Sequence, residues 1–210
     1  MSNYFEELIT NNKLGIKDYK QFEEVSRLYT QGRSLELEIK KPIQGNFDYK
    51  HLKDIHKYIF QDVFEWAGKD RAELGIYGPF IKENSFFCMG QFLHEEADKI
   101  FKGLKEQNFF KNAKDINELA KNMANFMSDL NALHPFREGN GRTQRIFLKD
   151  LAESIGYKLD LSLTDKERMR AASIDAMGGN NAKLEALIRS NLRGFRQNLD
   201  LEQSRGLELK

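Results

Sequence analysis

The chain has 210 residues, 40% of them hydrophobic and 31% charged, the composition of a globular chain with one sizeable core and not of a fibrous or disordered one. A formal net charge of +1 removes any bulk electrostatic argument for nucleic acid, and no apolar run reaches the roughly 18 residues of a membrane-crossing helix. The single cysteine, Cys88, excludes an internal disulfide and argues against zinc, and the Met1–Glu7 stretch lacks the basic lead and apolar run of a secretory leader.

One domain is expected: an N-terminal helical extension over 1–48, a core over about 49–192 and a C-terminal tail over 193–210. From Tyr49 to Phe64, the residues Leu52, Ile55, Tyr58, Ile59, Phe60, Val63 and Phe64 fall near one helical stripe. Arg71 to Phe87 breaks the helical period. Gly75, Gly78 and Pro79 stand among Leu74, Ile76, Tyr77, Phe80 and Ile81, which predicts a β-hairpin around a Gly-Pro turn. A lone hairpin is marginal in water, so this one must lie on the helices or take a partner strand. Lys99, Lys102 and Lys105 with their acidic neighbours read as a solvated helix face.

The cleanest stripe is Ile116, Leu119, Ala120, Met123, Phe126, Met127, Leu130 and Leu133. A further helix is predicted over about Asn140–Ile155, stopped by Gly156. Thr164-Asp165-Lys166-Glu167 reads as a capping box opening a helix to about Ala176. A loop over Gly178–Asn181 leads to a short helix ending near Leu192. The sum is an all-α, mainly helical fold with one small hairpin.

Chemistry concentrates in Leu133-His134-Pro135-Phe136-Arg137-Glu138-Gly139-Asn140-Gly141-Arg142-Thr143-Gln144-Arg145. Pro135 disfavours helical geometry at His134, placing that imidazole at a helix end. Gly139 and Gly141 permit a tight turn with converging amides, and the helix that follows offers unpaired N–H groups at its positive dipole end. That combination binds anions. Arg142 and Arg145, three apart, leave the first turn on one side and suit a polyphosphate. Glu138 is the one acid in the cluster and a candidate Mg²⁺ ligand. His134 is the one group there able to take a proton near neutral pH. A base, a metal carboxylate, an anion nest and two arginines fit phosphoryl or nucleotidyl transfer.

This stretch resembles the Fic family, whose motif His-Pro-Phe-x-Asp/Glu-Gly-Asn-Gly-Arg-x-x-Arg is matched at every fixed position from His134 to Arg145. Tyr58–Gly68 resembles the helix leading to the family's target-binding flap, and Arg71–Phe87 falls where the flap belongs. The resemblance implies a bacterial protein adenylyltransferase, cytoplasmic or a secreted effector, that moves AMP from ATP to a Tyr, Ser or Thr hydroxyl of a target protein. It implies His134 as the base and Glu138 as the ligand of Mg²⁺. Gly139, Asn140 and Gly141 would form the α-phosphate hole, the Asn140 side chain fixing the loop, with Arg142 and Arg145 on the β- and γ-phosphates. It implies Phe136 as a core anchor, and Ile76 and Phe80 as flap positions that dock the target backbone by strand addition. The Doc branch, which phosphorylates, carries lysine at the Gly141 position; glycine here favours AMP transfer. Two alternatives remain at this point: a catalytically silent binding module and a Fic-type protein kinase.

The resemblance also implies restraint by a helix bearing Ser/Thr-x-x-x-Glu-Gly/Asn, whose Glu pairs with the second motif arginine, Arg145. Ser204–Glu208 and Ser34–Glu38 have the spacing, but Leu209 and Ile39 follow them. Leu14–Asp18 and Gly45–Asp48 look like toxin-type members, so the expected partner is a small antitoxin acting in trans. The remaining residues read blandly. His51, His56 and His94 are expected at the surface or hydrogen-bonded, Arg137 in solvent, Trp66 in packing, and Gly178–Asn181 as a plain loop or an adenine wall.

Overall fold

The computed structural model describes residues 12–82, 85–162 and 164–194. It is mainly helical, with two pairs of short antiparallel strands among the described residues. The helices are α1 (Tyr19–Lys40), α2 (Tyr49–Phe60), α3 (Leu93–Glu106), α4 (Ile116–Leu133), α5 (Asn140–Ser154), α6 (Lys166–Met177) and α7 (Ala182–Asn191). The strands are β1 (Phe80–Lys82), β2 (Ser85–Phe87), β3 (Tyr157–Leu159) and β4 (Leu192–Gly194).

Aspartates start four of these helices. Asp18, Asp48, Asp115 and Asp165 each accept a hydrogen bond from an amide of the first turn, which satisfies donors the helix cannot. The predicted box on Thr164 is therefore displaced by one residue. Asp165 is the cap, its carboxylate taking the Arg168 amide at 2.9 Å. A charged acceptor next to the helix dipole outcompetes the threonine hydroxyl.

Helix α4 runs through the centre. Its stripe from Leu119 to Leu133 is buried, and α3, α5, α6 and α7 pack around it. Fully burying each large side chain of that stripe stabilises the fold by about 1.5–3 kcal/mol. Helix α2 ends at Phe60, not Phe64, and turns carry the chain on to Gly68. Val63, Phe64 and Trp66 still reach the core, with Phe64 and Trp66 stacked at 4.1 Å.

The hairpin is shorter than predicted. Pairing is confined to Phe80–Lys82 against Ser85–Phe87, in the register Phe80 with Phe87. Residues 70–75 instead form helix-like turns: Asp70 and Glu73 cap each other's amides at 2.9 and 2.8 Å, and Gly75 sits at φ +73°. Ile76 lies outside both strands, its amide bonded to the Arg71 carbonyl at 2.8 Å. Gly78-Pro79 is thus the entry to β1 and not the turn of the hairpin. The pair β3–β4 was not predicted at all; Leu192 and Arg193 pair with Leu159 and Lys158 immediately after α7.

Candidate active site

The end of α4 and the start of α5 bring the motif together. His134 is the C-cap of α4, in left-handed geometry at φ 45°, ψ 59°. A non-glycine residue there is strained by about 1–3 kcal/mol and persists only when its surroundings hold it. They do. The His134 amide bonds Leu130 O at 3.1 Å, and Arg71 Nε donates to the His134 carbonyl at 2.8 Å. The imidazole, half-buried, lies 3.9 Å from the Phe87 ring and 5.7 Å from the Phe80 ring. The hairpin therefore folds directly over the candidate base.

The loop to α5 is fixed from three directions. Asn140 exchanges two hydrogen bonds with the Phe136 backbone, accepting at 2.9 Å and donating at 2.6 Å, as expected for the residue that fixes the loop. Thr143 Oγ1 donates to the Gly139 carbonyl at 3.0 Å. Gln144 Nε2 donates to Leu130 O at 3.0 Å, tying α5 to α4. Gly139 has φ +86°, and a Cβ added there would come within 2.2 Å of the Phe60 ring, so no side chain fits. The first helical bond of α5 runs from Thr143 N to Gly139 O. The amides of Asn140, Gly141 and Arg142 thus have no intrahelical acceptor and open toward one end.

Two guanidiniums flank those amides. Arg142 donates to Thr30 Oγ1 at 2.7 Å, lies 4.7 Å over the Phe60 ring, and approaches Glu138 Oε1 at 3.5 Å. Arg145 has no hydrogen-bond or ion-pair partner among the described residues. Its Nη1 folds back over the first turn of α5, 3.2 Å from where a Gly141 Cβ would stand. Burial works against the charge of both arginines, and Arg142 adds like-charge repulsion at Arg145. A site that holds two half-desolvated cations beside unpaired amides is built for an anion of high charge.

Helix α1 completes the wall. Thr30, buried to 1% exposure, is the Arg142 partner, and Glu23 and Glu138 both act on the Tyr19 phenol. None of the α1 residues Tyr19, Glu23 and Thr30 is marked by the sequence as a site residue. Ser26 and Thr30, small polar residues one turn apart, are both buried, which the sequence alone does not disclose.

Other expectations resolve as follows. Phe136 is buried and stacked on His56 at 3.9 Å, and Trp66 packs as expected. Arg137 is half-buried with Nε shut away from water, not solvated as predicted. His94 meets Asp70 at 2.9 Å. His51 is buried with no partner for Nδ1 among the described residues, so it is not at the surface and is not fully hydrogen-bonded there. Glu38 of the Ser34–Glu38 pattern pairs with Lys149 at 2.5 Å. Ser204–Glu208 lies outside the described residues.

His56 has a larger role than the bland one. It accepts from the Gly68 amide at Nδ1 (2.9 Å), which leaves Nε2 to donate to the Glu138 carbonyl at 3.0 Å. Burial drives its pKa from the ordinary 6.5 down to about 3. The unfolded chain takes a proton on this ring below pH 6.5 and the folded chain refuses it until about 3. Stability from this group is therefore complete above 6.5 and is lost as pH falls toward 3. At pH ~4.5 the loss is about 2–3 kcal/mol. Urea midpoints at pH ~7 and ~4.5, for wild type and His56→Gln, measure it. An equal pH slope in both proteins contradicts the assignment.

Comparison with known proteins agrees with this geometry. Residues 46–152 match the Fic/DOC family model. The chain is 40% identical over 196 residues to "Protein adenylyltransferase VbhT" of Bartonella schoenbuchensis, covering 93% of this chain but 40% of that longer protein. It is 34% identical to "Probable protein adenylyltransferase y4lH" of Sinorhizobium fredii, covering 86% of this chain and 90% of the relative. The crystal structure of the N-terminal Fic domain of a Bartonella quintana effector with bound ADP superposes with a TM-score of 0.80 at 32% identity, over 94% of this chain and 98% of that one. The BepC protein of Bartonella tribocorum with bound AMPPNP gives a TM-score of 0.77 at 30% identity, over 87% and 91%. Motif, fold and likeness agree, and the chain belongs to the Fic/DOC family.

Proposed function

We propose that this chain is a protein adenylyltransferase that moves AMP from ATP to a hydroxyl side chain of another protein. The carrying observation is the Arg145 guanidinium, without a partner among the described residues, beside Arg142 and the open amides of Asn140–Arg142, with the His134 imidazole at the adjoining helix end. The likeness to proteins named adenylyltransferases, and to structures that hold ADP and AMPPNP, supports the nucleotide as ligand.

In this reading the target hydroxyl lies beside His134, which takes its proton. The freed oxygen attacks the α-phosphorus, a P–O bond to AMP forms, the bond to the β-phosphate breaks, and pyrophosphate leaves. The amides of Asn140–Arg142 stabilise charge on the α-phosphate, and the two arginines hold the phosphates beyond it. Glu138 is the residue that would hold Mg²⁺, which when bound neutralises phosphate charge. A single hard carboxylate fits that ion, since Mg²⁺ keeps waters and phosphate oxygens as its other ligands. Among the described residues no cluster of three His, Cys, Asp or Glu competes for a metal. Target backbone is proposed to add to the hairpin, where Ile81 and Phe86 are exposed at 51% and 71% and Phe80 stands next to His134. Ile76 is at the base of this flap, not on its paired edge.

Gly141 favours AMP transfer over phosphorylation. A side chain there presses on Arg145 and on the open end of α5, while glycine leaves both free. The test uses ATP labelled on either the α- or the γ-phosphate, incubated with the protein and a cell lysate. Protein-bound label is expected from the α-position alone. Label from γ alone makes the chain a kinase, and none from either makes it a silent module.

Inhibition in trans by a small helical partner is part of the same proposal. Arg145 has no acidic partner among the described residues, where Glu38 pairs with Lys149 instead, which supports a glutamate supplied from elsewhere. The label experiment carries a second arm. Glu208→Gly is expected to transfer no faster than wild type, and a many-fold gain would make the chain its own inhibitor.

A further inference from the structure

Arg71 is fully buried, and no acid among the described residues forms an ion pair with its guanidinium. It spends Nε and Nη2 on backbone, while Nη1 has no hydrogen-bond partner among the described residues. Nε bonds His134 O at 2.8 Å, and Nη2 bonds Leu133 O at 3.1 Å and Cys88 O at 2.6 Å. Its own amide bonds Pro135 O at 2.8 Å, and its carbonyl receives the Ile76 amide at 2.8 Å. The guanidinium also lies 4.7 Å over the Phe80 ring. One side chain therefore touches the last carbonyls of α4, the strained His134 backbone, the residue that follows β2 and the first residue of β1. Burying an arginine this way is unfavourable unless its hydrogen bonds are made, and the pKa of the group is pulled down by that burial.

The arrangement has a mechanical consequence. The last carbonyls of a helix carry partial negative charge with no intrahelical donors. A guanidinium fork satisfies two at once and fixes where the helix stops. Here the stop is His134, whose left-handed backbone sets the direction of the imidazole. The same fork grips Cys88, so one side chain links the base of the flap to the histidine backbone. Asp70 holds the arginine loop in turn: it is fully buried and takes hydrogen bonds from the Tyr49 hydroxyl and the Glu73 amide, both at 2.9 Å.

We propose that Arg71 is the positioning residue that couples the flap to His134, holding the imidazole in its reactive orientation while the hairpin is seated. It acts through His134 and does not touch the nucleotide. The inference rests on His134 being the base, and the experiment separates the two.

Arg71→Lys keeps the charge but cannot reach two carbonyls in a fixed fork. It is expected to bind ATP within about twofold of wild type by calorimetry while the transfer rate at saturating target falls by about tenfold or more, the loss of a hydrogen bond to a charged group. The pH titration of the His134 ring proton, followed by NMR, is expected to broaden or split, which a purely structural loss of yield does not produce. An unchanged rate and a single sharp ring signal overturn the inference, as does a rate that falls only in step with ATP affinity. If His134→Ala is itself active, the reading of the base fails instead. Should Arg71→Lys not fold, hydrogen exchange on the wild type decides. The amides of Arg71, Ile76, Cys88 and His134 are expected to exchange as one cooperative unit. Independent exchange of Cys88 and His134 overturns the coupling.

Discussion

His134→Ala is expected to lose roughly 10²–10⁴-fold in AMP transfer, the usual effect of removing a positioned base, while ATP affinity stays within a few-fold. The separation follows from the geometry. The anion site is made by the α5 amides and by Arg142 and Arg145, none of which hydrogen-bonds the imidazole among the described residues. The histidine reaches the nucleotide only through the target hydroxyl. Truncation also removes the ring that packs on Phe87 at 3.9 Å, so the flap has to be shown still seated. The His134→Asn variant, which keeps a polar side chain of similar reach, serves as that control. Transfer measured with α-labelled ATP and binding measured by calorimetry give the two numbers. A near-normal rate in both variants removes His134 from the mechanism, and a parallel loss of ATP affinity means the imidazole supports the nest and not the proton.

Why was so much of this centre readable from the chain? The motif packs its chemistry into thirteen consecutive residues, His134 to Arg145 with the preceding Leu133. Local rules alone place them: Pro135 ends one helix, glycine opens the next, and three-residue spacing aligns the arginines. The periodic α4 stripe was found with its observed ends, Ile116 and Leu133, because every third or fourth position is buried in one core. What escaped was held by distant contacts. Arg71, His56, Thr30 and Tyr19 lie in three different elements, 60 to more than 100 positions from the residues they serve. Nothing in their own neighbourhood marks them. The observed hairpin is shorter than the Arg71–Phe87 pattern predicts for a related reason. Gly-Pro is a strong local turn signal, yet the Asp70–Glu73 caps and the close approach of Gly90 to the Ile76 carbonyl commit residues 70–79 to the loop below. The β3–β4 pair, three residues a side, is too short to leave a period and depends wholly on α7 delivering Leu192 beside Leu159.

The second large effect is expected at Arg145, and it carries two signs. Arg145→Gln removes a guanidinium that is desolvated, repelled by Arg142 and without a partner among the described residues. Without ligand, that charge gives the fold nothing back, so the variant is expected to melt at the same temperature as wild type or higher. Arg142→Gln is the counter-case. It gives up the hydrogen bond to Thr30, the seat over Phe60 and the approach to Glu138, and is expected to lower the melting temperature. With ATP present the order collapses. Each arginine supplies charge-assisted hydrogen bonds worth about 1.5–3 kcal/mol, so each loss is expected to weaken ATP binding by about 10- to 150-fold. Thermal melts of wild type and both variants with and without ATP, joined to calorimetric Kd values, read both signs from the same six samples. If Arg145→Gln destabilises the ligand-free protein as much as Arg142→Gln, the guanidinium is structural and its openness is misread. If it leaves the Kd for ATP unchanged, the anion the site was shaped around is held by the α5 amides and Arg142 alone.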